Sequence, residues 1–203
     1  MWRATTAENA MEHELRFFEE MLARASGCIG PEYFQLPLAD ADAVYRERVY
    51  CYELYHQLRC LWDGFPFSLG GEVDKGGHPR FQNGPYAHAK PDLLVHVPGN
   101  MDANLACIEV KPIGRPVAEF TADLRKLTWF CQNANYYRGI FLVYGEAKMT
   151  KPCERSWEPP QERRTASMWC AYIFFIMREP VALAGEFRTR VNGSILESRH
   201  LRR

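Results

Sequence analysis

An α/β fold, a mixed sheet flanked by helices, follows from three features of the 203-residue chain. Short apolar runs at about 91–97 and 105–111 are joined by the turn-rich PGNMDAN, as two strands of a hairpin would be. A segment of helical period follows, with Phe120, Leu124, Leu127, Cys131 and Ala134 on one stripe. A further apolar run at 138–145, bounded by glycines, then reads as a buried strand. With a short strand upstream, this is a three-strand meander, a crossover helix and a parallel strand.

The elements can be justified in order. Residues 6–25 form an acidic amphipathic helix with Thr6 as N-cap and Leu15, Phe18 and Leu22 inward. The glycine- and proline-rich GCIGPEYFQLPLAD is expected to be a loop. Asp40 or Asp42 then caps a second helix running to about Trp62, with Val44, Cys51, Tyr55, Leu58 and Trp62 buried. Arg46, Tyr50, Glu53 and Gln57 recur on its opposite side, where a helix lying across the edge of a cleft would aim Glu53 and Gln57 inward. SLGGEVDKGG is a short strand carrying Glu72 and Asp74 on one side, and residues 76–89 have turn chemistry without period. Pro116 suits a first helical turn, and Tyr136 and Tyr137 are expected to pack at the end of that helix. Lys148 to Ser167 reads as a long loop, Met168 to Met177 as a buried strand, and the arginine-rich tail from Phe187 as partly mobile.

Composition sets the limits on function. The chain is 47% hydrophobic and 25% charged, and its 25 basic and 25 acidic side chains cancel. Affinity for phosphates must therefore come from a local patch. The seven cysteines are scattered without a CxxC pair, which argues against zinc or a disulfide framework. With no apolar leader at the amino terminus and no run long enough to span a bilayer, a reducing, cytoplasmic setting is expected. No GxGxxG, P-loop, GxSxG or HExxH pattern is present.

The chemistry concentrates in KPDLLVHVPGNMDANLACIEVKP, residues 90–112. Glu109 and Lys111 are two apart on a strand and share a face. If the two runs pair, Asp92 lies beside them. Charges in a strand as apolar as ACIEVKP are costly unless paired or metal-bound. Two carboxylates and a lysine at one sheet edge suit a hard divalent cation such as Mg²⁺, which needs few protein oxygens because it keeps several waters. The backbone carbonyl of Val110 would add an oxygen.

Pro91-Asp92, seventeen positions, then Glu109-Val110-Lys111, with Glu53 on an upstream helix, resembles the PD-(D/E)XK nuclease superfamily, the restriction-endonuclease-like fold. The likeness covers residues 40–145 of one domain, an αβββαβ core, with an N-terminal helix and loop at 1–39 and a C-terminal extension at 146–203. It implies that Asp92, Glu109 and Glu53 bind Mg²⁺, with Mn²⁺ as a substitute, and that Lys111 assists. Glu72 is a further or alternative ligand. Asp123 and Lys126 on the downstream helix are weaker site candidates, since a pair three apart on a helix is ordinarily a surface ion pair. The implied activity is endo- or exonucleolytic hydrolysis of nucleic acid, DNA before RNA. It would serve in restriction, phage defence, repair or mobile-element transfer, with specificity from a homodimer or partner protein. Tail arginines 188, 190, 199, 202 and 203 read first as a solvated terminus and secondarily as phosphate contacts. The competing expectation is a catalytically silent domain that binds nucleic acid or scaffolds a complex, which zero net charge favours.

Overall fold

The computed structural model describes residues 6–73, 84–86 and 88–145, together with the backbone of three strands at 173–177, 187–191 and 194–198. The expected loop at 148–167, Asp74 and tail arginines 199, 202 and 203 lie outside the described residues. Helix α1 (Thr6–Gly27) leads through a 3₁₀ turn (Pro31–Tyr33) to a hairpin of β1 (Gln35–Leu38) and β2 (Ala41–Tyr45). There follow α2 (Glu47–Cys60), β3 (Ser68–Gly71), β4 (Leu93–His96), β5 (Asn104–Pro112), α3 (Val117–Asn133) and β6 (Tyr136–Tyr144). Strands β7 (Ile173–Met177), β8 (Phe187–Val191) and β9 (Ser194–Ser198) are the last of the described elements.

The architecture is mixed α/β. Strands β3 to β9 form one sheet in sequential order, antiparallel throughout except where β5 and β6 run parallel. Helix α3 makes that one crossover, as a parallel pair requires. Strand β5 lies between β4 and β6, and all its residues except Lys111 are buried, which explains its almost unbroken apolar run. One face packs under α1 and α2: Phe18, Leu22, Leu54 and Leu58 meet Ala106, Ile108, Val110 and Leu142. The other packs under α3, where Leu127 and Phe130 meet Leu94, Cys107 and Phe141.

The second helix starts later than its sequence pattern suggests. Residues 41–45 pair with β1, Leu36 opposite Val44, so neither Asp40 nor Asp42 caps a helix and Arg46 holds the N-cap position. The stretch ADAVY holds one branched apolar residue, Val44, with no apolar i, i+4 partner, so it carries little helical period of its own. Tyr50, expected on the polar side, is fully buried and stacks on Tyr144 at 3.8 Å, with Phe34 edge-on to both rings.

Two other departures concern chain ends of elements. Tyr136 and Tyr137 open β6 rather than close α3, because Asn135 turns the chain at φ 57, a conformation asparagine tolerates. The buried Asn104 amide donates to the Ala134 carbonyl at 2.7 Å and secures that junction. The tail at 187–198, expected to be partly mobile, forms the β8–β9 hairpin and extends the sheet. Among the described residues no helix is long and apolar enough to cross a membrane.

Candidate active site

Register brings the first two candidate residues together. Leu93 of β4 pairs with Ile108 of β5 in antiparallel register, so Asp92 comes beside Glu109. The Asp92 Oδ2 atom accepts the Val110 N–H at 2.8 Å. This is the contact the structure gives Val110: its amide, where the sequence pointed to its carbonyl.

Glu109 is 1% exposed. Its Oε2 lies 2.6 Å from the Lys126 ammonium, while Oε1 is buried without a hydrogen-bond partner. Lys126 also reaches Asp123 at 3.3 Å, and Asp123 Oδ2 lies 3.5 Å from Lys111. Lys111 in turn binds both carboxylate oxygens of Glu47 at 2.9 Å. The result is an unbroken chain of alternating charge, Glu47, Lys111, Asp123, Lys126, Glu109, with Asp92 beside its last member. Four carboxylates face two ammonium groups.

This excess of negative charge in a poorly hydrated place shifts the proton affinities of its members. Burial pushes Asp92 up to about 6, against the Val110 N–H, which lowers it, and with Glu47 adding to the rise. Glu109 is raised well above the ordinary carboxylate range, by burial first and then by Asp92. Burial pulls Lys111 down, but the Glu47 hydrogen bond and the charges of Glu47, Asp123 and Asp92 prevail and hold it up at about 12. Lys126 is raised as well, burial being outweighed by Glu109.

Not every expected residue arrives here. Glu53 hydrogen-bonds Gln57 at 2.7 Å along α2, and neither residue lines the cleft of about 510 Å³ that opens onto Asp92. The glutamate of α2 that reaches the site is Glu47. Glu47 stands in the first turn of α2, and Glu53 falls about 240° further round the helix. Glu72 lines the cleft at its outer edge, at φ 46, with its carboxylate 3.0 Å from Arg48. Asp123 and Lys126, expected as a surface pair, are instead the inner part of the charge chain.

A substitution pair separates the two α2 glutamates. Glu47→Ala should release Lys111 from its strongest partner and lower any activity at this site by about ten-fold or more, since a hydrogen bond to a charged group is worth about 1.5–3 kcal/mol. Glu53→Ala should leave activity and stability within about 0.5 kcal/mol of the parent. Parallel activity assays and urea titrations of the two variants check this.

Among the described residues no group of three or more His, Cys, Asp or Glu side chains is arranged to hold a metal ion. Lysines occupy one oxygen of Glu109 and both of Glu47. The donor set nevertheless suits a hard cation: Asp92 and Glu109 adjoin, one buried Glu109 oxygen lacks a partner, and Mg²⁺ needs only one or two carboxylates beside its waters. No protein-family model matches the chain, and none of the curated proteins or solved structures compared with it is significantly similar.

Proposed function

We propose that the chain is a Mg²⁺-dependent nuclease built on a restriction-endonuclease-like core, with α2, β3, β4, β5, α3 and β6 as its αβββαβ elements. The observation that carries the reading is the meeting of Asp92, Glu109 and Lys111 at one end of β5, with a buried Glu109 oxygen left without a partner. Asp92 and Glu109 would hold the cation, with Mn²⁺ able to replace it. When bound, it supplies charge at the scissile phosphate and lowers the pKa of a bound water.

The chain's own groups then divide the remaining work. Glu47, Asp123 and Asp92 favour the protonated form of Lys111, so it serves as a cation and not as a base. It orients the attacking water or neutralises charge growing on the phosphate. Glu47 and Asp123 position the Lys111 ammonium from two sides, which removes the freedom a lysine stem otherwise has. Lys126 balances Glu109 when no cation does. Nucleic acid, DNA before RNA, is the substrate, and the setting is cytoplasmic, where the scattered cysteines would stay reduced.

One observation favours a second reading. Lys126 already lies 2.6 Å from Glu109, where a cation would otherwise be needed, as expected of a silent domain that binds nucleic acid or scaffolds a complex. Plasmid and short single strands incubated with Mg²⁺ or Mn²⁺ separate the two. Cleavage to 5′-phosphate ends that EDTA stops, and that Lys111→Ala loses, supports the nuclease. Intact substrate under every metal condition supports the silent domain.

A further inference from the structure

The cleft above Asp92 continues beyond the charge chain. It shares Glu47, Arg48 and Tyr52 with a second groove of about 750 Å³ between the β2–α2 junction and the turn after β5. Three exposed arginines border this groove, Arg46 and Arg48 at the start of α2 and Arg115 from the turn. The neutral composition hides them as a patch, because β2–α2 and β5–α3 are far apart in sequence and meet only in the fold.

Each arginine is available to an anion. Arg46 has no carboxylate partner among the described residues. Arg48 and Arg115 pair with Glu72 and Glu119 at 3.0 Å, but all four side chains are more than a third exposed. Exposed pairs of that kind contribute about 0–1 kcal/mol, so a phosphate oxygen replaces the carboxylate at little cost. Tyr52 lies between the two cavities and lines both, with 64% of its surface in solvent. A large ring held on a helix beside three cations is a stacking platform next to phosphate sites, the pairing that single-strand binders use. Paired bases are already stacked in a duplex and do not offer a free face to such a ring.

We infer that the two cavities form one track for a single-stranded polynucleotide, its phosphates on Arg46, Arg48 and Arg115 and one base on Tyr52, leading the strand to Asp92. The direction towards Asp92 rests on the nuclease reading; the binding does not. Fluorescence anisotropy with labelled oligo-dT and a labelled hairpin duplex, in EDTA so that nothing is cut, tests it on the full chain. Tyr52→Ala should weaken oligo-dT binding by roughly 5- to 150-fold, the range one base–aromatic stack supplies, and Tyr52→Phe should restore it. Arg46→Ala should flatten the dependence of log Kd on log salt by about 0.7, one single-strand phosphate contact. Binding indifferent to both alanine variants, or a duplex held more tightly than the single strand, overturns the track even if Mg²⁺-dependent cleavage is seen. Tyr52-dependent binding without any cleavage leaves the track standing and removes the nuclease.

Discussion

Asp92→Ala and Asp92→Asn are both expected to reduce cleavage by on the order of 10²–10³-fold or more, yet to move stability in opposite directions. The activity loss is common to both because each removes a negatively charged oxygen donor from the pair Asp92 and Glu109. Stability divides them because Asp92 has a second duty, accepting the buried Val110 N–H. Alanine leaves that amide without a partner, which costs about 1–3 kcal/mol. Asparagine keeps an oxygen in place and removes a charge that burial disfavours. The pH window follows from the raised titration of Asp92, from 3.8 to about 6. The folded protein binds the proton more tightly than the unfolded chain, so this contribution to stability is fully present below pH 4 and is lost as the pH rises through 6. The metal-free parent should therefore lose about 2–3 kcal/mol between those limits through Asp92, and Asp92→Asn should not. Urea unfolding at pH 4 and pH 7.5 without metal, beside a nuclease assay, reads both effects. An asparagine variant as unstable as the alanine one would remove the Val110 hydrogen bond from the account, and full cleavage by either would remove Asp92 from the chemistry.

The parts legible in the sequence were those set by strand alternation over short distances. Asp92 directly precedes β4 and Glu109 and Lys111 lie on β5, joined to it by one turn, and a period of two determines which side chains share a face. The α1 stripe was equally plain, and Leu15, Phe18 and Leu22 are all buried. The helical contributors were harder because each is a carboxylate on an otherwise apolar stripe, away from the polar side where charged residues are sought. Both left a signal. Glu47 precedes Cys51, Leu54 and Leu58 at spacings of four, three and four, all three buried. Asp123 precedes Leu127, Phe130 and Ala134 at the same spacings, also buried. A carboxylate at the head of an apolar stripe is aimed at the sheet with the rest of that stripe. Taking the side with Arg46, Tyr50, Glu53 and Gln57 as cleft-facing drew attention to Glu53, one face away, and reading Asp123 with Lys126 as an isolated pair overlooked the stripe Asp123 shares. The arginine track was beyond any local pattern, since its members come from separate turns.

Lys126→Met is expected to make the metal-free protein less stable by about 3–5 kcal/mol at pH 8, the largest single effect in the site. Methionine preserves the length of the stem but leaves Glu109 as a buried charge without its ammonium partner, 1% exposed. The loss should shrink as the pH falls. Burial and Asp92 already raise the Glu109 titration well above the carboxylate range, and removing Lys126 raises it further. A proton bound more tightly in the folded than in the unfolded state stabilises fully below the unfolded value of about 4.5 and ceases to do so as pH rises through the folded one. As the pH falls Glu109 takes up its proton and the variant approaches the parent. A divalent cation offers the other route to neutrality: with Lys126 gone it no longer competes with an ammonium for Glu109, so Mg²⁺ should raise the melting temperature of Lys126→Met more than that of the parent. Thermal unfolding at pH 5 and pH 8, with Mg²⁺ and with EDTA, gives four readings on each protein. A variant rescued by acid but not by Mg²⁺ would mean that Glu109 takes protons and lysine but no metal, and the charge chain would then be a structural device of a silent domain. Rescue by both would identify Lys126 as the cation that holds the site in readiness until a metal replaces it.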